Sequence, residues 1–289
     1  MNIVYLNGQF LPLEKASISP LDRGFLFGDG VYEVIPVYKG RPFGLNDHLD
    51  RLIHSLEAIE VPNPYSVSEW TGLIQAVLDK NTPQADFSLY CQVTRGFSPE
   101  RRLQVSTTLT PTVFIMATPY VYASIETLAK GIKAIVMSDL RSQHTHIKST
   151  SLLASTLMRL EAQRADASEI IIVHQDLAIE AASSNLFLVK KGILYTPPKS
   201  PRLVAGVTRD KILALAQTLA IPIREEECPV DAVFSADEVW VSGSTKEIVP
   251  IIQIDESKIG TGQAGPVWHR MITAYKALIA EYCHANPTF

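Results

Sequence analysis

The feature that most constrains the fold of this chain is a repeated switch in the spacing of its apolar residues. Residues 30–38, GVYEVIPVY, alternate with the two-residue period of a strand. Over 46–59, apolar side chains recur at 49, 52, 53, 56 and 59, the period of a helix. The strand contains Pro36, which has no N–H to donate and is therefore expected at a sheet edge or a bulge. The switch continues to the end of the chain. A helix is predicted over 66–79 behind a Ser66 or Ser68 cap, with strands over 87–95 and 112–118. After Pro119, strands are predicted over 132–137, 170–174, 186–189, 193–195 and 238–242. Helices are predicted from Ser149 or Ser151 to 164, over 208–219 and over 267–282. Asn7-Gly8 separates two short apolar runs and predicts a tight hairpin. Helix and strand in both halves indicate an α+β or α/β fold.

At ~150 residues per domain, 289 residues suggest two domains. The signals restart after Pro119, so we expect an N-terminal α/β domain over 1–120, a linker over 121–130 and a C-terminal α/β domain over 131–289. The 26 basic residues against 30 acidic ones leave no electrostatic footprint for a nucleic acid or an anionic membrane. Cys91, Cys228 and Cys283 cannot all pair, and their spacing matches neither a zinc nor a haem site. They read as reduced thiols of a cytosolic protein. The first residues lack the basic and continuous apolar stretches of a secretory signal. No run approaches the ~18 apolar residues of a membrane span, so a soluble cytoplasmic protein is expected.

The motifs GxGxxG, GxxxxGK[ST], HExxH and GxSxG are absent from the sequence. Gly28-Asp29-Gly30 is by itself a turn signal. His144 and His146 have no third ligand at sensible spacing, so no metal is expected. What remains are polar residues at the ends of predicted elements. Lys148 reads either as a solvated charge before a helix or as a desolvated amine suited to a Schiff base. Glu180 reads either as a turn carboxylate or, before the small residues Ala181-Ala182-Ser183-Ser184, as a partner for a flat ligand. Gly206-Val207-Thr208 opens a helix whose free N–H groups and Thr208 hydroxyl suit a phosphate; an ordinary capped helix is the alternative. Ser242-Gly243-Ser244-Thr245 ends a strand with further hydroxyl donors. A lysine, a carboxylate for a pyridinium nitrogen and a helix N-terminus for a phosphate together make a site for pyridoxal phosphate.

Eight ordered segments add to this reading. They are YLNGQFLP at 5–12, SPLDRGFLFGDGVYEVIPVYKG at 19–40, NDHLDRL at 46–52, QVTRGFSP at 92–99, HIKSTSLL at 146–153, IEAASSNLFLV at 179–189, GVTRD at 206–210 and SGSTKEIVPI at 242–251. On these segments the chain resembles the class IV (fold-type IV) aminotransferases along nearly its whole length, and most closely the bacterial D-amino-acid transaminases. The resemblance implies a two-domain fold with the active site between the domains and pyridoxal 5′-phosphate as cofactor. It also implies a homodimer in which a partner loop completes each site. Lys148, in the C-terminal domain, matches the Schiff-base lysine and Glu180 the partner of the pyridine nitrogen. Arg51, Val207, Thr208 and Ser244 match phosphate ligands. Tyr32 matches a tyrosine near the substrate carboxylate, and His48 a supporting histidine beneath the site.

Two stretches depart from the pattern. After Ser98-Pro99 the D-amino-acid enzymes carry an arginine and, two positions on, a histidine that clamp the substrate carboxylate. This chain reads Glu100-Arg101-Arg102-Leu103-Gln104. Arg101 and Arg102 stand either as the displaced carboxylate ligands or as a solvated pair. The loop 142–146 replaces a more apolar, tryptophan-containing stretch. The implied reaction is a two-step exchange of an amino group between a D-amino acid such as D-alanine and a 2-oxo acid such as 2-oxoglutarate, with Lys148 as the covalent anchor and proton carrier. Branched-chain L-amino-acid aminotransferases and 4-amino-4-deoxychorismate lyases share the scaffold and stand as alternatives, as does a cofactor-binding protein without turnover.

Overall fold

Asn7 and Gly8 turn with positive φ, 47° and 91°, the handedness of a two-residue hairpin. They join β1 (Ile3–Leu6) to β2 (Gln9–Pro12). The computed structural model describes residues 2–82, 85–105 and 109–284. The chain divides into two units, Met1–Val121 with Ile147–Leu152, and Tyr122–His146 with Leu153–Phe289.

The first unit continues with α1 (Arg23–Phe27), β3 (Gly30–Tyr38), β4 (Arg41–Pro42), α2 (Leu45–Ala58), α3 (Val67–Lys80), β5 (Phe87–Thr94) and β6 (Thr112–Pro119). Its strands form an antiparallel sheet in the order β2-β1-β6-β5-β3-β4. The two-residue alternation sorts the side chains of β3 and β5 onto two faces. On one face Val31, Ile35, Leu89 and Cys91 join Leu49, Leu52 and Leu56 of α2 and Trp70 and Ile74 of α3 in a buried cluster. Each such large side chain contributes about 1.5–3 kcal/mol by leaving water. The other face presents Tyr32 and Val34, in register with Gln92 and Tyr90, all half buried.

Of the two candidate caps, Ser66 is the one that caps helix α3, and it forms a capping box with Glu69. In helix α2, whose sequence offers Asn46 or Asp47 as the cap, the structure differs. Its N-cap is Gly44 in the left-handed region, and Asp47 lies inside the first turn, where its charge favours the helix dipole. Pro36 sits beside the short edge strand β4, which pairs only with Val37 and Tyr38. Its carbonyl accepts from the Phe43 N–H at 2.8 Å, so its missing N–H falls on that same edge.

Further along this edge, residues 147–152 run beside β3. The Tyr32 N–H donates to the Lys148 carbonyl at 3.0 Å, the Thr150 N–H donates to the Gly30 carbonyl at 2.9 Å, and Val31 bridges Ser149. This segment was expected within 131–289 and as the start of a helix. It groups instead with the first unit, and the Ser151 hydroxyl donates to the Gly28 carbonyl at 3.1 Å. Helix formation is therefore delayed to Leu153.

The second unit holds α4 (Ile125–Leu128), β7 (Ile132–Ser138), α5 (Leu153–Arg164), β8 (Glu169–His174), β9 (Leu177–Ala181), β10 (Asn185–Lys190), β11 (Ile193–Thr196) and α6 (Val207–Thr218). It continues with β12 (Ile223–Glu225), β13 (Cys228–Pro229), α7 (Val230–Phe234), β14 (Glu238–Gly243), β15 (Glu247–Ile254), β16 (Ser257–Lys258) and α8 (Pro266–His284). Its sheet runs β12-β11-β10-β14-β15-β7-β8-β9-β13, with β16 paired to β15. The pairs β11·β12, β15·β7 and β7·β8 are parallel. Glu238 of β14 accepts from the Val267 and Trp268 N–H groups at 2.9 and 2.8 Å, so a distant carboxylate caps the first turn of α8.

Among the strands that escape the sequence reading are β15 and β9. β15 contains Pro250, which argues against a central strand; it precedes Ile251, the first residue paired to β7. Glu180, for which a turn carboxylate is one of the two readings, lies within β9 opposite Ile172 of β8. Among the described residues, no helix is long and apolar enough to cross a membrane.

Candidate active site

In the first unit, the pairing of 147–150 with β3 fixes the backbone of Lys148 and sends its side chain over the half-buried face of the sheet. The Lys148 Nζ rests 4.1 Å from the centroid of the Tyr32 ring, a cation–π distance. Tyr90 stacks on Tyr32 at 5.7 Å between centroids, and its hydroxyl donates to Gln92 Oε1 at 2.6 Å. Glu33, one residue on from Tyr32, points to the opposite face of the sheet and is fully buried. Its Oε1 accepts from Arg51 Nε at 2.6 Å, its Oε2 accepts from Arg51 Nη2 at 2.7 Å, and His48 Nδ1 lies 2.8 Å from Oε2. Burial alone would raise the Glu33 carboxyl; the Arg51 guanidinium and the hydrogen bonds from Arg51 and His48 override it and hold it at about 2. Burial keeps His48 below its usual range, and the Arg51 and Lys148 charges act in the same sense against the pull of Glu33.

In the second unit, the registry of Asn185 with Ser242 sets the start of β10 beside the end of β14. Asn185 Nδ2 donates to the Val204 carbonyl at 2.8 Å. A Cβ on Gly206 would stand 1.9 Å from Asn185 Oδ1, so only glycine permits this approach. Helix α6 begins directly after Gly206 without a side-chain cap, with Val207 and Thr208 buried in its first turn. Ser244 occupies the turn between β14 and β15. The neighbouring Ser242 hydroxyl is buried without a hydrogen-bond partner, a costly arrangement unless a ligand satisfies it.

Glu180 is 4% exposed. Its Oε1 meets Arg141 Nη1, and its Oε2 accepts from the Val204 N–H at 3.4 Å. Burial pushes the carboxyl up to about 7, against the attraction of Arg141 and the Val204 hydrogen bond. Arg141 in turn grips both oxygens of Asp139, Nε to Oδ1 at 2.9 Å and Nη2 to Oδ2 at 3.1 Å.

The structure thus groups Tyr32 with Lys148 and Arg51 with His48 in one unit, and Glu180, Val207, Thr208 and Ser244 in the other. Arg101 and Arg102 are exposed: the Arg101 guanidinium lies 5.3 Å from the Phe27 ring, and Arg102 pairs with Glu100. Sequence reasoning missed Glu33, Arg141 and Asp139. Glu33 carried a readable signal, a carboxylate between the apolar positions Val31 and Ile35 of one strand face. Asp139 and Arg141 carried none, because they lie in an irregular loop.

The family model "Amino-transferase class IV" matches residues 30–254. A D-alanine aminotransferase of Staphylococcus epidermidis is 33% identical over 282 residues, covering 98% of this chain and 99% of that protein. The structure of the Escherichia coli branched-chain amino acid aminotransferase superposes with a TM-score of 0.89 at 29% identity, covering 96% of this chain and 94% of that one. A further branched-chain amino acid aminotransferase, solved with pyridoxamine 5′-phosphate, gives 0.87 at 25% identity, covering 95% and 92%.

Proposed function

The chain belongs to the class IV aminotransferases, which work with pyridoxal 5′-phosphate, and on that footing we propose that it moves the amino group of D-amino acids, D-alanine foremost, to 2-oxo acids such as 2-oxoglutarate. The observation that carries the choice of substrate is the near-full-length identity to a D-alanine aminotransferase. The high TM-score to branched-chain aminotransferases favours a second reading, in which L-leucine and its kin are the donors.

The donor set suits the cofactor. A phosphate needs N–H and hydroxyl groups that the backbone can bring close, and the close approach at Gly206, the uncapped start of α6 and the unsatisfied Ser242 hydroxyl supply that environment. In this reading Val207, Thr208, Ser244 and Arg51 hold the phosphate, Glu180 holds the ring nitrogen, and Lys148 is the covalent anchor. Bound pyridoxal phosphate supplies an electron-withdrawing ring that stabilises charge developing at the substrate α-carbon. Lys148 Nζ takes the α-proton, from a place held by the backbone pairing with β3. Tyr32 supports that amine with its ring face, and Arg101 and Arg102 bind the substrate carboxylate. Kinship to the family also supports a homodimer in the cytoplasm.

The test is the visible spectrum of the purified holoenzyme after separate additions of D-alanine and L-leucine. Conversion to the pyridoxamine form by D-alanine alone is expected. Conversion by L-leucine alone would move the protein to the branched-chain class, and a yellow protein altered by neither would favour the lyase. The phosphate assignment has its own test. Gly206→Ala drives a Cβ into Asn185, and such overpacking costs about 1–3 kcal/mol. Titration of cofactor into the apoprotein should then show affinity reduced about tenfold or more; unchanged affinity would remove α6 from the site.

A further inference from the structure

Beyond the residues that contact the cofactor in this reading, the second unit contains a buried charge cluster that the assignment of Glu180 does not explain. We propose that Arg141, gripped from behind by Asp139, is a positioning residue that keeps the Glu180 carboxylate charged and aimed at the ring nitrogen. The inference rests on the assignment of Glu180 made above.

The geometry leaves Arg141 one arrangement. Its Nε and Nη2 take the two oxygens of Asp139, Nη2 also donates to the Arg202 carbonyl at 3.2 Å, and Nη1 meets Glu180. Its backbone N–H donates to Asp139 Oδ1 at 2.9 Å, and the Asp139 N–H donates to the Val173 carbonyl of β8 at 2.9 Å. The loop that carries Arg141 is therefore tied to the strand beside Glu180. The Arg141 and Asp139 side chains are 10% and 5% exposed. A two-point carboxylate grip orients a guanidinium more strictly than a single contact can.

The charges give the arrangement a purpose. Two ionised carboxylates around one guanidinium leave a net charge of −1, the charge that a protonated pyridine ring would neutralise. Burial works against that state by favouring protonated Glu180; Arg141 opposes burial, while the Asp139 charge pushes Glu180 in the same direction as burial. Hence Asp139 contributes by orienting Arg141, not by its field at Glu180. Among the described residues, His174 at the end of β8 also faces the cluster and acts electrostatically on Asp139.

The proposal is tested with Arg141→Gln, with Arg141→Met as the second variant should the first not fold, and Glu180→Gln as reference. The readout is the 15N chemical shift of ring-labelled pyridoxal phosphate in the holoenzyme, which reports whether the ring nitrogen carries a proton. Wild type is expected to show the protonated ring, and both Arg141 variants a shift toward the unprotonated one. Each pKa unit that Glu180 climbs above the working pH lowers its ionised fraction about tenfold. Thus kcat should fall about tenfold or more, with KM changing less than about threefold. A cofactor-free measurement runs alongside, denaturation by urea between pH 5 and 9. In wild type the decline of stability due to Glu180 ends near pH 7; in the Arg141 variants it should continue past that pH. A protonated ring and wild-type kcat in a folded Arg141 variant would overturn the inference while leaving Glu180 in place. A ring nitrogen indifferent to Glu180→Gln would instead overturn the assignment on which the inference stands.

Discussion

Lys148→Ala is expected to abolish transamination, lowering kcat by about 10³-fold or more, while the protein still folds. The size follows from the two tasks given to one amine, covalent attachment and proton transfer; the second alone commonly contributes 10²–10⁴-fold. The fold should survive because the structural role of this residue belongs to its backbone. The Lys148 carbonyl accepts the Tyr32 N–H, and the Thr150 N–H reaches the Gly30 carbonyl; alanine keeps both. The side chain is only half buried, and what it loses is its rest on the Tyr32 ring at 4.1 Å. Three measurements check this: the visible absorption of the bound cofactor, its trapping on the protein by borohydride followed by mass determination, and the urea midpoint. A variant that transaminates normally would remove Lys148 from the centre of the mechanism. A variant that fails to fold would show that the amine, and not the backbone, holds 147–152 in place.

Glu180→Gln is expected to lower kcat by about 10²-fold with cofactor still bound, since the neutral amide cannot favour a protonated ring nitrogen as a carboxylate does. It should also change how stability depends on pH, and the sign can be worked out. The folded carboxyl has its pKa raised from 4.5 to about 7. Below pH 4.5 the group is protonated in both states and costs nothing. As pH rises toward 7, the unfolded chain releases its proton while the folded one keeps it, so stability falls. Above about 7 the loss is complete, of the order of 3 kcal/mol at 1.36 kcal/mol per unit. The glutamine variant should lack this decline, so its stability relative to wild type should grow between pH 5 and 7.5. His48, held below its usual range, acts oppositely in both proteins and cancels in the comparison. Parallel stability curves for the two proteins would contradict the burial of an ionisable carboxyl at this position.

The elements that were legible beforehand are those whose cause is local. The Asn7-Gly8 turn needs only two residues that tolerate positive φ, and both adopt it. The cap of α3 is narrowed to Ser66 or Ser68 because a cap acts within one turn, and Ser66 serves. The alternation of 30–38 and the helical period of 46–59 predict β3 and α2 to within a residue or two. The misreadings have distant causes. Residues 149–151 carry good capping hydroxyls, yet the edge of β3 offers their backbone a better partner, and α5 starts later. Pro250 argues locally against a strand, but β15 accommodates it just before the pairing with β7 begins.

The candidate site divides in the same way. Residue types and their order were enough to nominate Lys148, Glu180 and the Gly206-Val207-Thr208 turn, because a Schiff base, a pyridinium partner and a phosphate each demand a particular functional group near the end of an element. Only the tertiary structure decided what each charge faces. Arg51 meets Glu33 across 18 residues of chain, and Arg141 meets Glu180 across 39. Coulomb energy depends on distance and on the water left around the pair. Neither quantity is encoded in neighbouring residues; both arise when strands and loops remote in the chain pack side by side.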